Sequence, residues 1–270
     1  MQLFCICYNT FMHRNVLLSA TALAYYALAA AGLFIFEAGI LVSSIVLFGI
    51  PAYLLARFSA APSVVITAVI ALGAGIAFLL EGIAHIYGIW YTLGVDQLRL
   101  FSLIPVEVLF TSIVQTLFLA LLYELVFDDG IYTSSSARTR FAAFGVFALS
   151  VLALIGLHQY VVKGVFLSHS YVWILGILAA SSLAALAVHK RLSMKFFKRL
   201  CFFSLLAAVP LLISAVLAVT NTHKVFAYVH DYLYVFTIFG GVIPLEELMM
   251  VFVLPLFVAT FYELYLDDTK

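Results

Sequence analysis

Apolar residues run through the chain in eight long stretches, separated by short polar segments. The stretches cover about 15–36, 39–56, 62–90, 103–127, 141–162, 165–188, 200–222 and 235–266. A helix needs roughly 20 apolar residues to cross the hydrocarbon core of a bilayer, so each stretch predicts a transmembrane helix. The strict polar–apolar alternation of a membrane barrel is absent. The third and last stretches are longer than a crossing needs. They are expected to tilt, bend or begin outside the bilayer.

Composition closes off the other classes. Of 270 residues, 66% are hydrophobic and 10% are charged, with a mean hydropathy of +1.20. A soluble domain carries about 25% charged residues. This chain lacks the polar surface to dissolve, which excludes a soluble enzyme and a disordered segment. Thirteen basic and thirteen acidic residues cancel, leaving no basic field for nucleic acid. Cys5, Cys7 and Cys201 form no disulfide framework.

The basic residues give an orientation. With eight helices, Arg14, Arg57, Arg138, Arg140, Lys270 and the cluster Lys190 to Arg199 share one side of the membrane; Arg99, Lys163 and Lys224 share the other. The positive-inside bias places both termini in the cytoplasm, in an integral protein of the cell membrane.

The strongest pattern is a duplication. Residues 104–129 and 243–268 align without a gap at an offset of 139, with 13 of 26 positions identical. The matches include Pro105 with Pro244, Glu107 with Glu246, Tyr123 with Tyr262 and Glu124 with Glu263. Shared composition explains repeated Leu and Phe, but not repeated Pro, Glu and Tyr. The offset predicts an all-α polytopic membrane protein of about eight helices, built as two parallel four-helix repeats. Residues 1–130 form the first repeat, 141–270 the second and 131–140 a cytoplasmic linker. Such repeats place a substrate site between the halves.

Charge at membrane depth is expensive, so each acid needs a location. Glu124, Asp128, Asp129, Glu263, Asp267 and Asp268 fall at the cytoplasmic ends of the fourth and eighth helices and are expected to be solvated. Asp96 and Asp231 fall in outer loops and Glu37 at an interface. Glu81, Glu107, Glu246 and Glu247 are left at membrane depth. Glu107 and Glu246 each follow a proline by two residues, which puts them in the first turn of a helix. There they complement the helix N-terminus or belong to a site; repetition favours a site. Glu81 and His85 lie four apart on one helix face, as a proton relay or a structural hydrogen bond. No metal-ligand spacing and no nucleotide or hydrolase motif occurs, so neither metal nor cofactor is expected.

The stretch from Glu81 through His85 to Gly88-Ile89-Trp90 is followed by Pro105-Val106-Glu107 and Gln115-Thr116, and the second copy reads Pro244-Leu245-Glu246-Glu247. This resembles the integral-membrane lycopene cyclases of archaea, actinobacteria and fungi, which carry an acid before Gly-x-Trp and a Pro-x-Glu-Glu motif in each of two homologous halves. The chain departs from that pattern at Glu81, where Asp is usual, at Val108, where a second Glu is common, and at Thr111 and Ser112, where aromatic residues stand. Thr220, beside Asn221, stands at the duplicated position of Glu81.

The resemblance implies a carotenoid cyclase that turns linear end groups into rings by acid–base isomerisation, without net redox change. Glu107 and Glu246 would be the central acid–base pair, with Glu247 and Glu81 in support. Trp90, Tyr91, His85 and Asn221 would contact a lipophilic carotenoid that enters from the membrane lipid. Two other readings stay open: a transporter of a small molecule or of protons, and a non-catalytic carotenoid-binding member of the same family.

Overall fold

The computed structural model describes residues 21–22, 24–59, 63–93, 98–101, 104–127, 169–188, 194–226 and 232–263. The expected helix at 141–162, the linker 131–140, the start of the first helix and the acids Asp96, Asp128, Asp129, Asp231, Asp267 and Asp268 lie outside these residues.

Seven helices carry the described fold: α1 (Ala24–Ile35), α2 (Ile40–Phe58), α3 (Ser63–Tyr87), α4 (Val106–Phe127), α5 (Ser170–Val188), α6 (Met194–Thr220) and α7 (Leu245–Phe261). Four of them are long and apolar enough to cross a membrane: α2, α3, α4 and α6. Large apolar side chains such as Leu28, Phe58 and Phe202 point outward, at 75%, 79% and 61% exposure. An outer surface of this kind suits lipid, not water. The protein is a mostly helical membrane protein.

Three short antiparallel pairings complete the described fold. β1 (Trp90–Thr92) pairs with β4 (Lys224–Phe226), β2 (Arg99–Leu100) with β3 (Ile104–Pro105), and β5 (Val235–Ile238) with β6 (Gly241–Pro244). They correct two expected boundaries. The stretch 62–90 stops being helical at Tyr87. The stretch 235–266 begins as the β5–β6 hairpin and becomes helical at Leu245. Phe239 and Gly240 make the turn with φ of 48° and 82°, the left-handed values a two-residue hairpin loop needs. Valine and isoleucine suit a pleated strand as well as an apolar helix, so hydropathy alone could not divide this run.

α4 and α7 are the helices of the duplicated segments, and they organise the packing. α4 packs against α2 and α3, α7 packs against α5 and α6, and α4 touches α7. Gly73 makes the α3–α4 approach possible. A Cβ there would lie 2.8 Å from the Cα of Ile113, with no room for a side chain.

The centre of α2 shows how a proline is accommodated in apolar surroundings. Pro51 has no N–H to give to a carbonyl one turn back. The helix widens into a π turn over Ile45–Gly49, just before it. The Tyr26 hydroxyl donates to the Leu47 carbonyl at 3.2 Å, and the Tyr25 hydroxyl donates to the Val46 carbonyl. The N–H missing from Pro51 would reach Leu47 in an α turn or Val46 in a π turn, the two carbonyls the tyrosines cover.

The ends of α4 and α7 overturn an expectation. Glu124 and Glu263 are buried, at 3% and 5% exposure. The Tyr123 hydroxyl donates to Glu263 at 3.0 Å, and the Tyr262 hydroxyl donates to Glu124 at 2.6 Å. Each copy of the Tyr-Glu dipeptide thus reaches across to the other. The acids are buried because each helix supplies the donor its counterpart needs.

Candidate functional site

A cavity of about 190 Å³ opens between α2, α3 and α4 on one side and α5, α6 and α7 on the other. Its wall follows helical periodicity. α4 contributes Val108, Thr111, Ser112 and Gln115; α7 contributes Glu247, Met250, Val251 and Leu254. Both sets step by three, one and three residues, the single stripe a helix turns toward a neighbour. The two stripes occupy equivalent positions, 139 residues apart.

Two carboxylates stand on this wall. Glu81, near the end of α3, accepts the Trp90 indole N–H at 3.0 Å and lies 3.5 Å from the Thr92 hydroxyl. Trp90 reaches it because Gly88, at φ 62°, turns the chain out of α3 and into β1. Glu247, in the first turn of α7, accepts both oxygens' contacts from Lys224 Nζ, at 2.8 and 2.9 Å, and takes a hydrogen bond from the Tyr171 hydroxyl. Lys224 Nζ also sits 4.2 Å from the Trp90 ring centroid and 4.9 Å from that of Phe226. The β1–β4 register places Thr92 opposite Lys224 and Trp90 opposite Phe226, which brings the two acids' partners into one cluster. An ammonium so enclosed is held by its carboxylate and by aromatic faces together.

The other sequence-derived residues take different places. Glu246 is fully buried beside the cavity but is not on its wall. Its Oε1 accepts the Leu233 backbone N–H at 2.7 Å, and its Oε2 has no hydrogen-bond partner among the described residues. Glu107 sits in the first turn of α4, as its proline spacing predicts, and is not on the wall either. Trp90 is on the wall, but its ring face carries Lys224. Tyr91 points outward at 43% exposure. His85 is exposed, and the partners of Glu81 are Trp90 and Thr92 instead. Asn221 donates to the Leu33 carbonyl at 3.3 Å, tying the end of α6 to α1. The structure therefore brings Glu81, Trp90 and Glu247 to one cavity. It leaves Glu107, Glu246, Tyr91, His85 and Asn221 off the wall.

Lys224 and Tyr171 are site residues that sequence reasoning passed over. Lys224 entered only as an outer-side basic residue. The signal available was a single lysine just after an apolar stretch, facing the lone acid Glu247 once the two Glu-bearing helix starts are compared. Tyr171 lies 76 residues from Glu247 and gives no local signal.

No group of three or more His, Cys, Asp or Glu side chains suited to a metal occurs among the described residues. Comparisons with known protein families, with curated proteins and with solved structures return no match.

Proposed function

We propose that this protein is a lycopene-type carotenoid cyclase, working from the cavity that holds Glu81 and Glu247. The observation that carries the reading is the pair of carboxylates, differently partnered, on the wall of a cavity whose other titratable side chains are Lys224, His223 and Tyr171. Glu247 is paired with the Lys224 ammonium and is the base that takes a proton. Glu81 takes its hydrogen bonds from neutral donors, Trp90 and Thr92, and is the acid that delivers a proton.

The reaction follows from those roles. Glu81 protonates the terminal double bond of a linear end group. The tertiary cation that results is attacked by an internal double bond, which closes a ring. Glu247 accepts the proton that leaves the ring carbon. One proton is given and one is taken, so no oxidant or cofactor enters the balance. Apolar side chains on α6 and α7 keep bulk water from the cation. Glu107 and Glu246 stand in first turns, and Glu246 holds the start of α7 through the Leu233 backbone. The same reading carries the architecture of two parallel four-helix halves, with both termini in the cytoplasm. The lipophilic substrate enters laterally from membrane lipid.

The test is expression in a lycopene-accumulating host. Cyclisation leaves mass unchanged and alters retention time and absorption. An unchanged pigment profile, with the protein present in the membrane, defeats the reading.

The Lys224–Glu247 ion pair also favours a second reading, a proton or small-molecule transporter, because paired charges at membrane depth mark transport paths. Proton-coupled flux in liposomes, lost in Glu247→Gln, would place the protein there. Pigment that co-purifies without conversion would instead mark a non-catalytic carotenoid-binding protein.

A further inference from the structure

The two stripes that face each other across the cavity differ in kind. On α7, below Glu247, the wall is Met250, Val251 and Leu254. On α4 the equivalent positions are Thr111, Ser112 and Gln115. A pure hydrocarbon end group would meet apolar atoms on one side and a hydroxyl–amide surface on the other.

The α4 surface is poised to accept hydrogen bonds. The Thr111 hydroxyl donates to the Glu107 carbonyl at 2.8 Å, and the Ser112 hydroxyl donates to the Gly73 carbonyl at 2.9 Å. The Thr111 oxygen also meets the Ser44 hydroxyl at 2.6 Å, so Ser112, whose proton is committed to the backbone, offers the freer oxygen lone pairs toward a ligand. Gln115, and Ser214 across from it on α6, make no hydrogen bond with any described residue. Hydrocarbon packed on that amide would give it no hydrogen-bond partner, which burial penalises. A ligand hydroxyl would satisfy it.

We propose that the cavity takes an acyclic isoprenoid polyene bearing a hydroxyl group near the seated end. The oxygen lies on Thr111, Ser112 and Gln115, and the carbon chain lies on Met250, Val251 and Leu254. This rests on the cyclase reading for the polyene and goes beyond it in naming an oxygenated substrate.

The experiment is a competition. Full-length protein in lipid nanodiscs is offered equal amounts of lycopene and of lycopene hydroxylated on a terminal methyl group with every double bond intact, and the bound pigments are extracted and quantified. The hydroxylated polyene should be retained about tenfold over lycopene, the ratio one well-made hydrogen bond supports. In Gln115→Leu, which breaks no hydrogen bond of the fold, the ratio should fall toward one. Equal retention by the wild type overturns the inference, as does an unchanged ratio in Gln115→Leu. The two readings fail separately. Ring formation from lycopene with no preference in binding defeats the oxygenated substrate and keeps the cyclase. Preferential binding of the hydroxylated polyene that yields no ring keeps the ligand class and defeats the cyclase. Retention of neither pigment defeats both.

Discussion

α4 and α7 come from duplicated sequence, start after equivalent prolines, and turn equivalent faces toward the same cavity, yet the two faces do different chemistry. Val108 stands where α7 has Glu247, and Gln115 stands where α7 has Leu254. The acids obey the same rule. Glu81 has Thr220 at its duplicated position, so the cavity takes its two carboxylates from α3 and α7, which are not counterparts in the duplication. At the far ends the duplication is kept: Tyr123–Glu263 and Tyr262–Glu124 are mirror contacts. Residues that hold the halves together have stayed alike, while residues that face the cavity have diverged. A site with identical halves would present every substrate atom with the same environment twice. Divergence gives one acid a cation for a partner and leaves the other with neutral donors.

The largest expected effect breaks that division directly. Glu81→Gln and Glu247→Gln should each reduce ring formation by at least ~100-fold, with membrane levels unchanged, because general acid–base groups contribute about that much or more. Thr220→Ala, at the duplicated position of Glu81, should convert pigment within about twofold of wild type, since Thr220 donates only to its own helix, to the Val216 and Leu217 carbonyls. Pigment analysis reads all three, and full conversion by either Gln variant removes that acid from the chemistry.

Moving the acid to the other wall comes next. Glu247→Val leaves Lys224 without its carboxylate, a loss of about 2–3 kcal/mol for a part-buried pair, between the exposed and fully buried cases. Thermal unfolding in detergent should show the loss. Adding Val108→Glu should not recover it, because Lys224 and Tyr171 lie against α7. Recovery would mean that the walls are interchangeable.

The crossed contacts test the conserved side of the comparison. Tyr123→Phe and Tyr262→Phe should each destabilise by about 1–3 kcal/mol, the cost of taking a donor from a buried carboxyl oxygen. The two rings meet edge to face at 6.1 Å, so the double variant should depart from additivity. Unequal single losses would show that the mirror contacts have diverged in strength. The smallest effect is Tyr26→Phe, about 1 kcal/mol, from one carbonyl beside Pro51 losing its donor.

Much of this was legible in the sequence. Hydropathy located the helices, and proline spacing placed Glu107 and Glu246 in first turns. The same arithmetic could not see across the fold. Glu124 and Glu263 looked like solvated end charges because their tyrosine donors lie about 140 residues away. Lys224 looked like a topology marker because its carboxylate comes from another helix and its aromatic seat from a strand pairing. Pro-x-Glu marked the right turn of α7, but a helix turns about 100° per residue, so Glu246 and Glu247 face different surroundings. Only packing decides which of the neighbours reaches the cavity.

The chain has two tryptophans, and their settings are opposite. Trp173 is 60% exposed on α5, while Trp90 is 3% exposed beneath the Lys224 ammonium. In Trp173→Phe, ultraviolet emission would come from Trp90 alone, on the cavity wall. A polyene seated there would drain that emission by energy transfer, and loss of the ion pair would shift its colour. The protein thus carries a built-in optical gauge of its own occupancy, readable in real time and without a label.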